Sequence, residues 1–176
     1  MKRLLVVVDY QNDFVSGSLG FKEAVELEPL IAKKIQNYRQ NGDIIAFTFD
    51  THDDRYLETR EGKALPIPHC LSGSDGWQLF GSIAQCREKD DPYFIKNCFG
   101  SRDLFEYLRG NSFTSIEFIG VVTNMCVLTN AVLAQTALPN TPILIDAACV
   151  ASNDRLAGEK SLDVMESLQM KVLNRR

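Results

Sequence analysis

The chain has only two histidines, and they fall close together. His52 lies two residues after Asp50, at the end of the apolar run 44–49, and His69 follows Pro66-Ile67-Pro68 in the same segment. One carboxylate and two imidazoles in this arrangement suit a divalent transition metal, Zn foremost, with Mn or Fe as alternatives, because all three accept nitrogen and oxygen donors. The plain alternative is a strand-end aspartate with two surface histidines, since D-x-H is short and recurs by chance.

A second set stands elsewhere. Asp9 closes the run Leu4-Leu5-Val6-Val7-Val8, Lys96 closes Tyr93-Phe94-Ile95, and Cys126 follows Gly120-Val121-Val122-Thr123-Asn124-Met125. With Thr123 as an N-cap, Cys126 falls in a first helical turn. There the helix dipole, free N–H groups and a nearby ammonium would favour the thiolate. Asp9 could take the thiol proton and later return it to a leaving amine. The N–H groups from Val122 to Cys126 could hold an oxyanion. These parts suffice for acyl transfer from an amide. Singly, each has a plain reading: Asp9 as a turn cap, Lys96 as a solvated charge, Cys126 as an inert buried thiol. Cys70, Cys86, Cys98 and Cys149 read as structural or incidental.

The elements that must position these residues alternate along the chain. Strands are predicted over 4–8, 44–49, 93–96, 115–122, 143–145 (stopped by Asp146) and 171–173. Helices are predicted over 27–40, 77–85, 102–109, 124–138 and 155–168. Residues 51–74 read as irregular, and a loop of that length in one domain usually has a functional reason. Alternating strands and helices imply an α/β fold, a three-layer αβα sandwich around a mainly parallel, doubly wound sheet. Chemistry in such sheets gathers at the carboxyl ends of the strands.

Composition bounds the rest. At 176 residues the chain reads as one domain, 1–176, and hydrophobic content of 45% argues against disorder. A net charge of −4 gives no basic footprint for nucleic acid or an anionic membrane. The opening apolar run stops at Asp9, too short for a signal peptide, and nothing approaches a transmembrane span. Five cysteines without CxxC spacing fit a reducing, cytoplasmic setting.

The motifs quoted above make the chain resemble the isochorismatase-like cysteine hydrolases, and within them the nicotinamidases. The likeness spans nearly the whole chain. It runs from Val8-Asp9-Tyr10-Gln11-Asn12-Asp13-Phe14, through Phe94-Ile95-Lys96-Asn97-Cys98-Phe99, to Asp146-Ala147-Ala148-Cys149-Val150-Ala151-Ser152. It implies an Asp9–Lys96–Cys126 triad. It also implies a metal on Asp50, His52 and His69 that binds the substrate's ring nitrogen, with Glu61 or, failing it, Glu58 or water as a fourth ligand. A small amide substrate, a homo-oligomer and a cis peptide bond between Val121 and Val122 are implied as well, the last to aim the Val122 N–H at the oxyanion. Phe14 and Phe99 are expected to line the ring pocket. Two departures, Thr51 and Asp53-Asp54 around His52 and Asn124 two before Cys126, bear on substrate preference. The expected reaction is hydrolysis of nicotinamide or a close heteroaromatic amide. A hydrolase of another small amide or ureido compound, and a silent binding module with a structural metal, are the alternatives.

Overall fold

Leu4–Val8 is apolar at every position, so it can serve only as a strand covered on both faces. It forms β1, and all five residues are buried. The structure is a computed structural model and describes residues 1–175. Five further strands follow: β2 (Ile44–Asp50), β3 (Tyr93–Lys96), β4 (Ile116–Val121), β5 (Ile143–Ala151) and β6 (Lys171–Leu173). They form one sheet in the order β3-β2-β1-β4-β5-β6, and every pairing is parallel.

Parallel neighbours need crossovers, and these carry the helices. The short α1 (Asn12–Val15), α2 (Lys22–Glu26) and the longer α3 (Glu28–Gln40) link β1 to β2. Next, α4 (Arg60–Ala64) and α5 (Gly81–Cys86) link β2 to β3. The remaining crossovers use α6 (Arg102–Arg109), α7 (Leu128–Ala137) and α8 (Arg155–Ser167). The core divides accordingly. Leu5, Val7, Phe47 and Ile119 face Ile31, Ile35 and Ile83 of α3 and α5. Val6, Val8, Phe118 and Ile145 face Leu104, Leu108, Ala131 and Met165 of α6, α7 and α8. None of the described helices is long and apolar enough to cross a membrane.

Right-handed crossovers explain the two layers. Chain growth runs one way from β1 to β3, then returns past β1 to β4 and continues the other way. The helices therefore change face, and the strand order reverses between β1 and β4. The crevice outside the carboxyl ends of those two strands is the expected binding position.

Several sequence boundaries shift for physical reasons. Asp146 does not stop β5, which runs on to Ala151. Its buried carboxylate meets Lys34 Nζ at 2.6 Å and accepts from the Ala148 N–H at 3.0 Å. The register against β4 slips there, so that Ile145 pairs with Phe118 but Val150 with Gly120. The helix predicted from 124 begins instead as a π turn, Thr123–Val127, before α7. Thr123 is buried and is not the N-cap; Val122 holds that position without a side-chain bond. The helix predicted over 77–85 covers only Gly81–Cys86, after a short 3-10 turn at Asp75–Trp77. Residues 51–74 are partly ordered by a 3-10 turn, Tyr56–Glu58, and by α4, whose N-cap Thr59 accepts from the Gly62 N–H at 2.9 Å.

Gly120 pairs with Val8 at the carboxyl end of β1. Its φ is +109°, and a Cβ there would overlap the Val8 carbonyl oxygen. Gly42, at φ +69° after α3, has open space around its missing Cβ. Gly120→Ala should cost at least about 3 kcal/mol in urea unfolding, whereas Gly42→Ala should cost only about 1 kcal/mol for its backbone conformation.

Candidate active site

Asp9 is the first residue beyond β1 and turns the chain sharply, at φ +47°, a left-handed conformation that aspartate tolerates better than most residues. Its carboxylate is fully buried, and Oδ1 accepts from Thr48 Oγ1 at 2.6 Å. Lys96 reaches in from the end of β3. Its Nζ lies 2.7 Å from Asp9 Oδ2, 3.1 Å from Asp50 Oδ1 and 3.4 Å from Cys126 Sγ. The directed hydrogen bonds of the ammonium go to Asp50 and to the sulfur. The shortest contact of the ammonium, 2.7 Å, is nevertheless the one to Asp9 Oδ2.

Burial disfavours a charge on Lys96, yet Asp9, Cys126 and Asp50 outweigh it and push its pKa well above the usual lysine value. Asp50 shows the mirror effect. Burial opposes its ionisation, but Lys96, His52 and His69 hold its carboxyl well below the usual range. For Cys126 the sequence signals, a helix start and a nearby ammonium, favour a lowered pKa, and the structure adds opposing influences. Burial pushes its thiol well up, and the carboxylates of Asp9 and Asp50 add to that against the pull of Lys96. Burial likewise raises Asp9, though Lys96 opposes it. Burial thus works against charge on both the thiol and the Asp9 carboxylate, and Lys96 works for it. The peptide bond between Val121 and Val122 is cis, as the resemblance implies.

The second cluster begins at Asp50. Its Oδ2 lies 3.0 Å from His52 Nε2 and 3.4 Å from His69 Nε2. Glu61 Oε1 is 3.9 Å from His69 Nε2, and one donor atom from each of the four residues lies within 4.8 Å of all the others. His69 Nδ1 is 2.8 Å from the Ile67 carbonyl, so that nitrogen carries the hydrogen. In the neutral ring Nε2 is then a lone pair facing two carboxylates. Burial works against a charge on His69, but Asp50, the Ile67 carbonyl and Glu61 outweigh it and raise its pKa. The position calls for a cation between nitrogen and oxygen donors, and this donor set fits a divalent metal with its second imidazole nitrogen already oriented. Glu58, the alternative fourth ligand, is exposed and outside the cluster.

A cavity of about 360 Å³ joins the two clusters. Asp50, Glu61, His69, Val122 and Cys126 line it, with Phe14 and Phe99 among its apolar walls. Sequence reasoning missed several contributors. Thr48, which holds Asp9, was visible as the lone hydroxyl within the run 44–49. Tyr56 packs its ring 4.6 Å from His52 and 4.9 Å from His69, and only the folded loop reveals it. Leu19, Phe21, Leu65 and Met125 complete the apolar walls. Asn124 does not line the cavity; its Oδ1 accepts from Ser152 Oγ at 2.6 Å.

The isochorismatase domain family matches residues 3–175. The chain belongs to the isochorismatase family. An uncharacterized isochorismatase family protein of Bacillus subtilis is 30% identical over 143 residues, covering 75% of this chain and 78% of that one. The crystal structure of nicotinamidase PncA from Bacillus subtilis matches with a TM-score of 0.87 at 29% identity, over 99% of this chain and 100% of that one. The pyrazinamidase of Pyrococcus horikoshii in complex with zinc shares the fold, with a TM-score of 0.86 at 24% identity, over 99% and 100% of the two chains.

Within this family member, Lys96 is the counter-charge of two buried carboxylates. Lys96→Met would leave Asp9 and Asp50 facing each other out of water. It should lower stability in urea unfolding by about 3–5 kcal/mol, the usual range for breaking a buried ion pair on one side.

Proposed function

We propose that this protein is a cysteine amidohydrolase that converts nicotinamide, or a close heteroaromatic amide, to the carboxylic acid and ammonia. The chain is an amidase, as its family and its nicotinamidase and pyrazinamidase neighbours support. One observation carries the finer reading. The thiol and three of the four candidate metal ligands open into one cavity, whose remaining walls are largely rings and aliphatic chains. A flat, mainly apolar ring with one polar nitrogen and one carboxamide suits such a space.

In this reading, Asp9 takes the Cys126 proton on Oδ2, the oxygen that the Thr48 hydroxyl leaves free. Sγ then attacks the carboxamide carbon, and the N–H groups of Val122 and Cys126 hold the oxygen as it becomes negative. Asp9 passes its proton to the amide nitrogen, the C–N bond breaks, and ammonia leaves a thioester on Cys126. Water next gives a proton to Asp9 and adds to the thioester carbon. The C–S bond breaks, Asp9 returns the proton to sulfur, and the acid departs. Lys96 keeps its charge throughout, holds Asp9 in place and stabilises the sulfur as its proton leaves. Asp50, His52, His69 and Glu61 would hold a divalent ion, Zn foremost with Mn or Fe as alternatives. When bound, such an ion supplies a Lewis-acid position for the lone pair of a ring nitrogen.

Ammonia release from a panel of amides, with and without a chelator, tests the reading. Cys126→Ala should lower the rate at least about a thousandfold without loss of fold, whereas Cys98→Ala, at an exposed position, should keep most of it. A Cys126→Ala protein as fast as the unaltered one would remove this thiol from the reaction. His52→Ala should reduce turnover of nicotinamide by roughly tenfold or more, and that of benzamide much less, because only nicotinamide has a ring nitrogen to anchor. Equal losses on the two substrates would assign the ion to the fold instead of the ring.

A further inference from the structure

Asp9 begins a six-residue stretch, 9–14, whose later residues also reach the metal cluster. β1 stops pairing with β2 at Val8 and Thr48, and the chain turns away at Asp9. Two places further along β2, Asp50 still presents its N–H and C=O toward the vacated side. The fully buried Gln11 fills that place with its side chain. Its Oε1 accepts from the Asp50 N–H at 2.8 Å, and its Nε2 donates to the Asp50 carbonyl at 2.9 Å. The same Nε2 donates to the Trp77 carbonyl at 2.9 Å. One amide thus continues the β1 ladder for one more step and fixes the backbone of the aspartate that the two clusters share.

Asp13 does the same for the other end of the metal cluster. Its Oδ2 accepts from the Cys70 N–H at 2.7 Å, and Cys70 follows His69 directly, at φ +46°. The carboxylate has little freedom: a Cβ on Gly17 or Gly76 would overlap it. Next along, the Phe14 ring packs 5.4 Å from the His69 ring. The segments carrying Asp50 and His69 are also tied directly, His52 N–H donating to the Cys70 carbonyl at 3.0 Å. That bond sets their spacing along the chain. Lys96 and the β1–β2 pairing already hold Asp50 near Asp9; Gln11 fixes the Asp50 backbone there, and Asp13 ties the His69 segment to the same stretch.

We propose that Gln11 and Asp13 are positioning residues for the metal site: they touch neither the metal nor the substrate, and they lock Asp50 and His69 in place relative to Asp9. The proposal rests on the reading of Asp50, His52, Glu61 and His69 as metal ligands. It adds that the ligand geometry is set from the loop bearing the catalytic base.

The test is zinc affinity of the metal-free, full-length protein, measured by competition with a fluorescent chelator. Asp13→Ala and Gln11→Met should each bind Zn²⁺ about 10–100-fold more weakly than the unaltered chain, the usual cost of losing a group that orients a ligand. Asp13→Asn keeps an acceptor oxygen at the same reach and should stay within about threefold. Gly76→Ala retains Asp13 but displaces its carboxylate, and should weaken binding as Asp13→Ala does. Glu28→Ala separates positioning from general stability. Glu28 Oε1 accepts from both the N–H and the hydroxyl of Ser82 at 2.7 Å, and neither residue belongs to the metal cluster. Its loss should lower the melting temperature and leave zinc affinity unchanged. Unaltered zinc affinity in Asp13→Ala and Gln11→Met would overturn the positioning role alone. An unaltered chain that binds zinc no better than His52→Ala would instead overturn the metal reading, and the proposal with it. Should Asp13→Ala not fold, Gly76→Ala decides: unchanged affinity there overturns the role of Asp13.

Discussion

A lysine ammonium out of water is the constraint around which the site is built. Dehydrating such a charge costs several kcal/mol unless carboxylates and hydrogen-bond acceptors replace the water. Lys96, almost fully buried, has two carboxylates and a sulfur within 3.4 Å, drawn from three other parts of the chain. Asp50 and Lys96 are direct register partners on β2 and β3. A slip of one residue on β3 would turn Lys96 to the opposite face and strand both Asp9 and Asp50. The ion cluster therefore selects the register of this edge strand, whose four residues alone give the pairing little hydrophobic preference.

Asp50 divides its two oxygens between two tasks. Oδ1 receives the ammonium, and Oδ2 faces the imidazoles. The charge cluster around the thiol and the cluster of candidate metal donors are therefore adjoining halves of one arrangement, and the cavity wall runs across both. The doubly wound topology makes this geometry available. The carboxyl ends of β1, β2, β3 and β4 stand side by side, so residues distant in sequence arrive together without long excursions.

The legible parts were those in which one residue type has few other uses. Asp9 and Lys96 announced themselves as charges terminating apolar runs. His52 and His69 did so as the chain's only imidazoles. Strand identity was legible for the same reason: β1 and β4 are buried on both faces, β1 reads as an unbroken apolar stretch, and β4 is interrupted only by Glu117, which is buried against Lys34. What failed to show in the sequence depends on partners far along the chain. Asp146 reads as a strand breaker until Lys34 is placed beside it. Thr123 reads as a cap until the π turn buries it. The upward pull on the Cys126 thiol did not show either, because helix position and a nearby lysine are local signals that point the other way. Burial and two carboxylates prevail over both, and these come from the tertiary structure.

The dispersal of these partners bears on how the protein acquires its site as it folds. No two of Asp9, Asp50, Lys96 and Cys126 share a strand or the turn that follows it, and each pairing must wait for a parallel crossover, the slow kind of long-range contact. Before β1, β2 and β3 lie side by side, Lys96 keeps its hydration shell and Cys126 remains an ordinary thiol in water. Stripping the ammonium of water and docking the carboxylates are then a single event, since either alone is uphill. A partly folded chain has the residues but none of the chemistry. Completion of the sheet's carboxyl edge is the step that brings ammonium, carboxylates and thiol into one dry cluster.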